Sequence, residues 1–185
     1  MSRRDLLLLS ALLWAGCASK SSVDFSAFHG VYLAGSHTWN PTSCDSEGSA
    51  VSGADALMVL YSSAYRNCAV ACACVDLADC RDQAATDGAR PMTSSDFAAD
   101  FQQISADRRQ LTGTSFGVER DTLVAHVTEN VLAKSGESIR IEMRSHVLPC
   151  QTNEGECDRP ATIAIAAGAP CSEFRVVNAT FAEPL

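Results

Sequence analysis

The sequence predicts a mainly β protein: a single antiparallel barrel or sandwich of about seven to eight strands, cross-linked by disulfide bonds. Short runs rich in β-branched and aromatic residues recur along the chain between turn-rich segments. No long amphipathic helix stands out. Beyond a leader-like N-terminus the chain carries eight cysteines, an even number that suits disulfide pairing in an oxidising compartment.

The N-terminus predicts a signal peptide over residues 1–16. Arg3 and Arg4 supply positive charge, and the nine residues 6–14 form an almost wholly apolar run. As a helix this run would span about 14 Å, roughly half of a ~30 Å hydrocarbon core, so it is too short for a permanent membrane span. The segment is therefore expected to direct export and then to be removed.

Two resemblances refine the interpretation of the leader. Residues 2–7, with paired arginines ahead of the apolar run, resemble the twin-arginine export motif; an ordinary secretory leader is the alternative. Residues 14–17, Trp-Ala-Gly-Cys, resemble the lipobox of bacterial lipoproteins, with Trp14 where that family usually has Leu. This resemblance implies that Cys17 carries the lipid, palmitate included, and that residues 17–27 are the lipid attachment site and tether.

The lipoprotein resemblance also implies a location. A lipid on Cys17 would attach the protein to a membrane of the cell envelope. Ala18, rather than Asp, after the cysteine resembles lipoproteins that are sent to the outer membrane. The alternative is ordinary cleavage near Ala18, which would give a soluble secreted domain. Cleavage before Cys17 leaves 169 of the 185 residues, and residues 28–185 are expected to form one β-rich globular domain.

The acidic composition argues against some partners. The net charge of −8 becomes −9 when Arg3, Arg4 and Asp5 leave with the leader. An acidic surface disfavours nucleic acid and anionic headgroups, so no nucleic-acid partner is expected. The expected partners are the membrane, through the lipid on Cys17, and either a small apolar ligand or an envelope protein.

The strands can be assigned in order along the domain. The segments that fit strands are 28–39, 54–63, 65–75, 110–119, 123–133, 138–148, 161–167 and 174–181. Residues 138–144 alternate strictly between apolar and charged, which is typical of a half-buried strand. Residues 134–137 are a tight-turn sequence, so the strands on either side are expected to pair as a hairpin.

Residues 76–107 allow two interpretations. The Ser-Ser-Asp sequence at 94–96 could cap a short helix that carries Phe97, Phe101 and Ile104 on one face. A loop followed by a strand fits the same residues. The sequence leaves both open.

The start of the first strand shows a further resemblance. Gly30, Val31 and Tyr32 resemble the Gly-x-Trp opening of lipocalins, with Tyr in place of Trp. The resemblance implies a barrel with a cup for a small apolar ligand, and bacterial lipocalins are often lipid-anchored. Lipocalins normally carry fewer cysteines than this chain.

Eight cysteines are predicted to form structural disulfides: Cys44, Cys68, Cys72, Cys74, Cys80, Cys150, Cys157 and Cys171. Four bridges would stabilise the domain by about 3 kcal/mol each if they were additive and unstrained. Eight cysteines allow about a hundred pairings, so the sequence leaves the pairing open. Cys150 and Cys157 are the favoured local pair because only a polar six-residue loop separates them.

A metal or thiol site is the alternative for the cysteines between positions 68 and 80. Their spacing, C-x3-C-x-C-x5-C, contains none of the C-x2-C pairs that structural zinc sites favour, so no metal site is predicted. If this segment is a strand, Cys68, Cys72 and Cys74 point to one face. Each would then need a partner from a neighbouring segment.

One motif suggests catalysis. Gly113-x-Ser115-x-Gly117 matches the nucleophile elbow of hydrolases, with His126 and His146 later in the chain as candidate bases. The elbow requires a helix after the serine, whereas the residues after Gly117 resemble a turn and a strand. We therefore predict no catalytic residues and no cofactor.

The sequence thus predicts an exported, lipid-anchored cell-envelope protein that acts as a non-catalytic binding or structural module. Two alternatives stay open. One is a lipocalin-like carrier of a small apolar ligand. The other is a metal or thiol protein that uses the cysteines between positions 68 and 80.

Overall fold

The computed structural model describes residues 23–51, 57–87, 98–119, 122–153 and 155–185. The predicted signal peptide and Cys17 lie outside the described residues. The described chain is mainly β, as predicted. Within it, no helix has the length and apolar character that a membrane crossing requires.

Twelve strands and two α-helices make up the described chain. The strands are β1 (Gly30–Asn40), β2 (Ser49–Ala50), β3 (Leu57–Ser63), β4 (Cys68–Cys74), β5 (Ala98–Phe101), β6 (Gln103–Ile104), β7 (Gln110–Glu119), β8 (Val124–Ser135), β9 (Ser138–Pro149), β10 (Thr152–Asn153), β11 (Glu156–Cys157) and β12 (Glu173–Glu183). The helices are α1 (Leu77–Thr86) and α2 (Arg159–Ala166), and a 3-10 helix precedes β1 at Ser26–Phe28.

The main sheet follows an up-and-down order. Its path is β5-β4-β3-β1-β12-β9-β8-β7-β6, with β2 attached to β1, and β10 and β11 form a separate pair. All the pairings along the path are antiparallel. The path contains nine strands, more than the seven to eight predicted, because residues 98–104 divide into two short strands.

The two ends of this path are neighbours in the chain. β5 ends at Phe101 and β6 begins at Gln103, so one segment pairs with β4 on one side and with β7 on the other. Between them, the Gln102 N–H donates a hydrogen bond to the Thr112 carbonyl at 2.9 Å. The result is a nearly closed, barrel-like sheet, which resolves the predicted choice between barrel and sandwich.

Gly113 of β7 permits the close approach that closes the sheet. A Cβ atom here would lie 2.2 Å from the Asp100 carbonyl oxygen and 2.6 Å from Phe101 Cα. Nearby, Ser115 Oγ accepts hydrogen bonds from the Asp100 N–H at 3.3 Å and from Asn130 Nδ2 at 2.8 Å. We call these five residues the closing seam. Gly113 and Ser115, the first glycine and the serine of the Gly-x-Ser-x-Gly motif, therefore have a structural role in closing the sheet.

Apolar side chains fill the end of the barrel at which β1 begins, called the N-terminal end below. The buried cluster consists of Phe25, Phe28, Tyr32, Met58, Leu60, Ala69, Ala71, Ala73, Ala99, Phe101, Leu111, Leu132, Ile139, Ile141, Met143, Val177 and Ala179. Two of its members come from the segment before β1, so the 3-10 helix closes this end. The Tyr32 hydroxyl donates to the Phe28 carbonyl at 2.7 Å, and burial raises the pKa of Tyr32 to about 12.

Strand β4 is buried on both faces. Its three alanines point into the barrel, whereas its three cysteines and Val70 point outwards and pack against Cys80 of α1. The predicted common face of the three cysteines is therefore confirmed. Helix α1 was not predicted; Asp76 caps it by accepting a hydrogen bond from the Asp79 N–H at 2.8 Å.

One prediction of secondary structure was wrong, and one choice that the sequence left open is resolved. Residues 161–167, predicted as a strand, fall largely in α2. The reason is local, because Asp158 accepts a hydrogen bond from the Ala161 N–H and Pro160 occupies the first turn. In the second case, residues 98–104 form β5 and β6, so the helix alternative fails there and the strand alternative is confirmed. Residues 88–97 lie outside the described residues.

The predicted hairpin is confirmed. β8 and β9 pair without interruption from Val124 opposite Pro149 to Ser135 opposite Ser138. Gly136, with a φ of +61°, and Glu137 form the two-residue turn between them. This pair is the longest stretch of unshifted register in the sheet, and it fixes which side chains of β8 and β9 face the interior of the barrel.

Three disulfides cross-link the domain: Cys44–Cys171, Cys74–Cys80 and Cys150–Cys157. The last is the predicted local pair. The first joins positions 127 residues apart, whereas the other two span 6 and 7 residues. In a chain-entropy description the long loop contributes about 4–5 kcal/mol and each short loop about 2–3 kcal/mol.

The prediction of a fourth bridge is corrected, because Cys68 and Cys72 are thiols in the structure. Both lie on the outward face of β4, four residues apart, which is about 13 Å along a strand. A disulfide requires Cα atoms within about 7 Å, so these two cannot pair with each other. The third cysteine on that face, Cys74, is bonded to Cys80 of α1.

The closing seam generates a prediction with a matched control inside one motif. Gly113→Ala is expected to lower the free energy of unfolding by about 2–3 kcal/mol, because its Cβ would overlap the backbone of β5. Gly117→Ala is expected to change stability by less than about 0.5 kcal/mol, since nothing lies within 4 Å of its Cβ position. Urea unfolding of both variants measures the difference. Equal midpoints would contradict the role of Gly113.

Candidate functional site

The end of the barrel at which β1 stops, called the mouth below, has a polar interior. Residues directly opposite each other in a sheet share a face, and side chains alternate along each strand. Leu132, Ile141 and Val177 form one cross-strand row within the apolar core. Positions two residues nearer the mouth must therefore also face the interior, because the register here has no shift.

The next row towards the mouth, beyond Leu132, Ile141 and Val177, contains an aromatic residue and a cation. It joins Asn130, Met143, Arg175 and Trp39 across β8, β9, β12 and β1. The Arg175 guanidinium lies 4.9 Å from the centroid of the Trp39 ring, a cation–π contact. The Arg175 side chain is only 16% exposed, so this charge is substantially removed from water.

The second row, at the rim, is entirely polar. It joins Ser115, Thr128, Ser145 and Glu173 across β7, β8, β9 and β12. The Thr128 and Ser145 hydroxyls are 3.0 Å apart and hydrogen-bonded. Arg175 Nε donates to Glu173 Oε1 at 2.7 Å, which links the two rows and compensates the charge of the partly buried guanidinium.

Two polar atoms of the first row lack hydrogen-bond partners among the described residues. They are the indole Nε1 of Trp39, a donor, and Oδ1 of Asn130, an acceptor, and both atoms are buried. Asn130 is 1% exposed, and its Nδ2 donates to Ser115 Oγ and to the Asp100 carbonyl. Buried polar atoms are normally paired, so these two are suited to a bound molecule.

His37 adds a titratable group at the inner edge of the mouth. It lies opposite Val177 and is 8% exposed. Burial lowers the pKa of His37, and the positive charge of Arg175 lowers it further. The imidazole is therefore neutral at neutral pH, which avoids a second positive charge beside the guanidinium.

The long disulfide braces the rim. Cys44 follows β1 and Cys171 precedes β12, and their bridge ties these two segments together next to Glu173. The Cys44 sulfur lies 3.2 Å from the Glu173 carbonyl oxygen. The bridge thereby restrains the strand end that presents both Glu173 and Arg175.

The predicted cysteine cluster lies elsewhere, between the outer face of β4 and α1. Cys74 and Cys80 are bridged, which leaves two thiols there, and Cys72 Sγ donates to Gln83 Oε1 at 3.0 Å. Burial raises the pKa of Cys68 to about 11, so its reactive thiolate is scarce at neutral pH. Among the described residues, no group of three or more His, Cys, Asp or Glu side chains is arranged for a metal ion.

The elbow-like motif does not have the geometry of a nucleophile elbow. Ser115 lies within β7 and is followed by four further strand residues rather than by a helix. His126 Nε2 pairs with Glu119 Oε1 at 3.0 Å. His146 Nδ1 lies 3.1 Å from the carbonyl oxygen of Ala169, in the segment that follows α2. These histidines are engaged with their own neighbours, whereas Ser115 belongs to the closing seam.

Trp39, Arg175 and Glu173 were not predicted from the sequence as site residues. The sequence does carry a signal for such a site. In β7 and β8 the inward-facing positions are apolar at one end of the strand and polar at the other, as with Ser115 and Asn130. Recognising it requires the cross-strand register, which a single strand does not reveal.

Comparison with protein-family models, with curated proteins and with solved structures finds no match to this chain.

The cysteine assignment predicts a thiol count. Denatured but unreduced mature protein, with its Cys17 sulfur in a thioether, should expose two thiols to an aromatic disulfide reagent. The folded protein should expose none, because Cys68 and Cys72 are 2% and 3% exposed. A count of zero after denaturation would indicate a fourth bridge, and a count of four would show that one of the three bridges is missing.

Proposed function

We propose that this protein is an exported, lipid-anchored component of the cell envelope, and that it acts as a non-catalytic binding module with its ligand site at the mouth. The single observation that carries the binding part is the division of the interior into a filled apolar half and a polar mouth. The mouth presents two buried polar atoms, on Trp39 and Asn130, that have no hydrogen-bond partner in the part of the chain that the structure describes. The leader and the lipobox resemblance carry the anchoring part, with the lipid on Cys17 and the outer membrane as its destination.

A lipocalin-like carrier of an apolar ligand has less support. The seventeen side chains of the apolar cluster occupy the interior from Phe28 to Met143, where an acyl chain would have to lie. A metal or thiol function also has less support, because Cys74 and Cys80 are bonded to each other. Structural zinc requires four ligands, and two thiols remain on that face.

The anchor is tested by replacing its attachment site. Wild-type protein is expected in the membrane fraction, with an intact mass that begins at Cys17 and includes the added acyl chains. Cys17→Ser should keep its leader or appear in the soluble fraction, because its side chain cannot form the thioether. Ser21→Ala is the matched control and should behave as wild type. Unmodified protein with Met1 still attached, confined to the cytosol, would overturn both export and anchoring.

The binding site is tested by native mass spectrometry of protein released from membranes in mild detergent. Wild-type protein is expected to carry an additional small-molecule mass. Thr128→Val combined with Ser145→Ala should lose it, because these substitutions remove the paired hydroxyls at the rim.

The control for this experiment is Thr114→Val. Thr114 lies on the opposite face of β7 from Ser115, so its loss should leave the bound mass unchanged. A wild-type protein that carries no additional mass would count against a binding function at the mouth. Retention of the mass by the double variant would place the ligand elsewhere.

A further inference from the structure

We infer that the mouth takes a water-soluble ligand, one with hydrogen-bond donors and acceptors, from the aqueous side of the membrane, and does not receive a lipid from the bilayer. This inference rests on the proposed lipid anchor at Cys17. Three independent features support it: where the tether enters the domain, how long the tether is, and what the two ends of the barrel present.

The tether enters at the end opposite the mouth. Asp24 lies 3.6 Å from Arg108, in the turn between β6 and β7, and the 3-10 helix that follows Asp24 leads into the first residue of β1. Trp39 is nine residues further along β1, opposite Arg175. The N-terminal end and the mouth are therefore separated by the full height of the barrel.

The tether is too short to bring the mouth to the bilayer. Cys17 and Val23 are six residues apart, which is at most about 21 Å when fully extended. The strand from Gly30 to Trp39 covers about 30 Å, or about 23 Å along the axis at a typical tilt of about 40°. Turning the mouth onto the membrane would require the tether to run back along this height. The mouth consequently opens to water whether the barrel stands upright or lies on its side.

The N-terminal end, which faces the anchor, is closed. Lys134 Nζ donates to the Ala27 carbonyl and lies 5.4 Å from the centroid of the Phe28 ring. Phe28 is fully buried, as is Phe101 behind it in the same cluster. An acyl chain that left the bilayer would meet packed side chains at this end.

The mouth presents the chemistry of a polar ligand. The Trp39 Nε1–H requires an acceptor and Asn130 Oδ1 requires a donor. The Thr128 and Ser145 hydroxyls can each donate and accept. A molecule that carries hydroxyl or amide groups meets all of these requirements, whereas a hydrocarbon chain would leave both buried atoms unpaired.

Trp39 allows a direct test of orientation, because it is the single tryptophan of the mature chain once the leader with Trp14 is removed. Lipidated protein is incorporated into phosphatidylcholine vesicles that contain phosphatidylcholine brominated in its acyl chains, a contact quencher of indole emission. The matched reporter is the Trp39→Phe/Tyr65→Trp variant. Tyr65 is 92% exposed in the turn between β3 and β4, at the N-terminal end.

We expect brominated lipid to leave the emission of Trp39 unquenched, whether or not it quenches the Tyr65→Trp reporter. Measurable quenching of Trp39 that equals or exceeds that of the reporter would overturn the inference. The chemical class is tested on the molecule released from the native protein, which should enter the aqueous phase of a chloroform–methanol–water partition. Recovery in chloroform would also overturn the inference.

Failure of the underlying proposal is distinguishable from these outcomes. If mass spectrometry shows an unmodified Cys17, the proposed anchor is wrong, and the orientation of the mouth that rests on it falls as well. A lipidated Cys17 together with a quenched Trp39 leaves the anchor intact and overturns only the orientation of the mouth.

Discussion

Closure of the sheet at residues 98–104 is the constraint on which the rest of the structure depends. This segment connects the two ends of the strand path, and it can do so only because Gly113 lets the backbone of β5 pass directly against β7. Closure encloses an interior, and the unshifted registers of β8, β9 and β12 then determine which side chains enter it. Hydrophobic burial stabilises the half filled by the apolar cluster, and hydrogen bonds together with the partly buried ion pair of Arg175 and Glu173 organise the other half.

The disulfides reinforce different parts of this arrangement. Cys44–Cys171 restrains the rim beside Glu173, where the side chains that would bind a ligand depend on precise strand ends. Cys74–Cys80 fixes α1 over the outer face of β4, and the third bridge closes the loop after β9. The domain can thus keep a partly polar interior, because covalent cross-links supplement its hydrophobic core.

Much of the fold could be predicted because alternation and turn chemistry are local signals. Residues 110–119 coincide with β7, and the hairpin of β8 and β9 follows from strict alternation on one side of a glycine-containing turn. The segment 161–167 could not be assigned, because a short apolar run fits a strand or a helix and the cap at Asp158 decides. The pairing at Cys74 and the polar rows of the mouth depend on α1 and on cross-strand register, which are tertiary properties. The leader and the lipid on Cys17 stay predictions.

The common face of the three β4 cysteines has a consequence for how the domain matures. Their sulfurs compete for Cys80, and the three competing loops would span 6, 8 or 12 residues. Doubling a loop costs only about 0.6 kcal/mol, so chain entropy hardly discriminates among them. Selection must come from packing, in which Gln83 bonds to both Cys72 and the Ala73 carbonyl and so aligns the helix with Cys74. If the chain oxidises before it has packed, a bridge from Cys68 or Cys72 to Cys80 must be exchanged for the native one by thiol–disulfide reshuffling, which takes seconds to hours and is much slower than collapse of a chain.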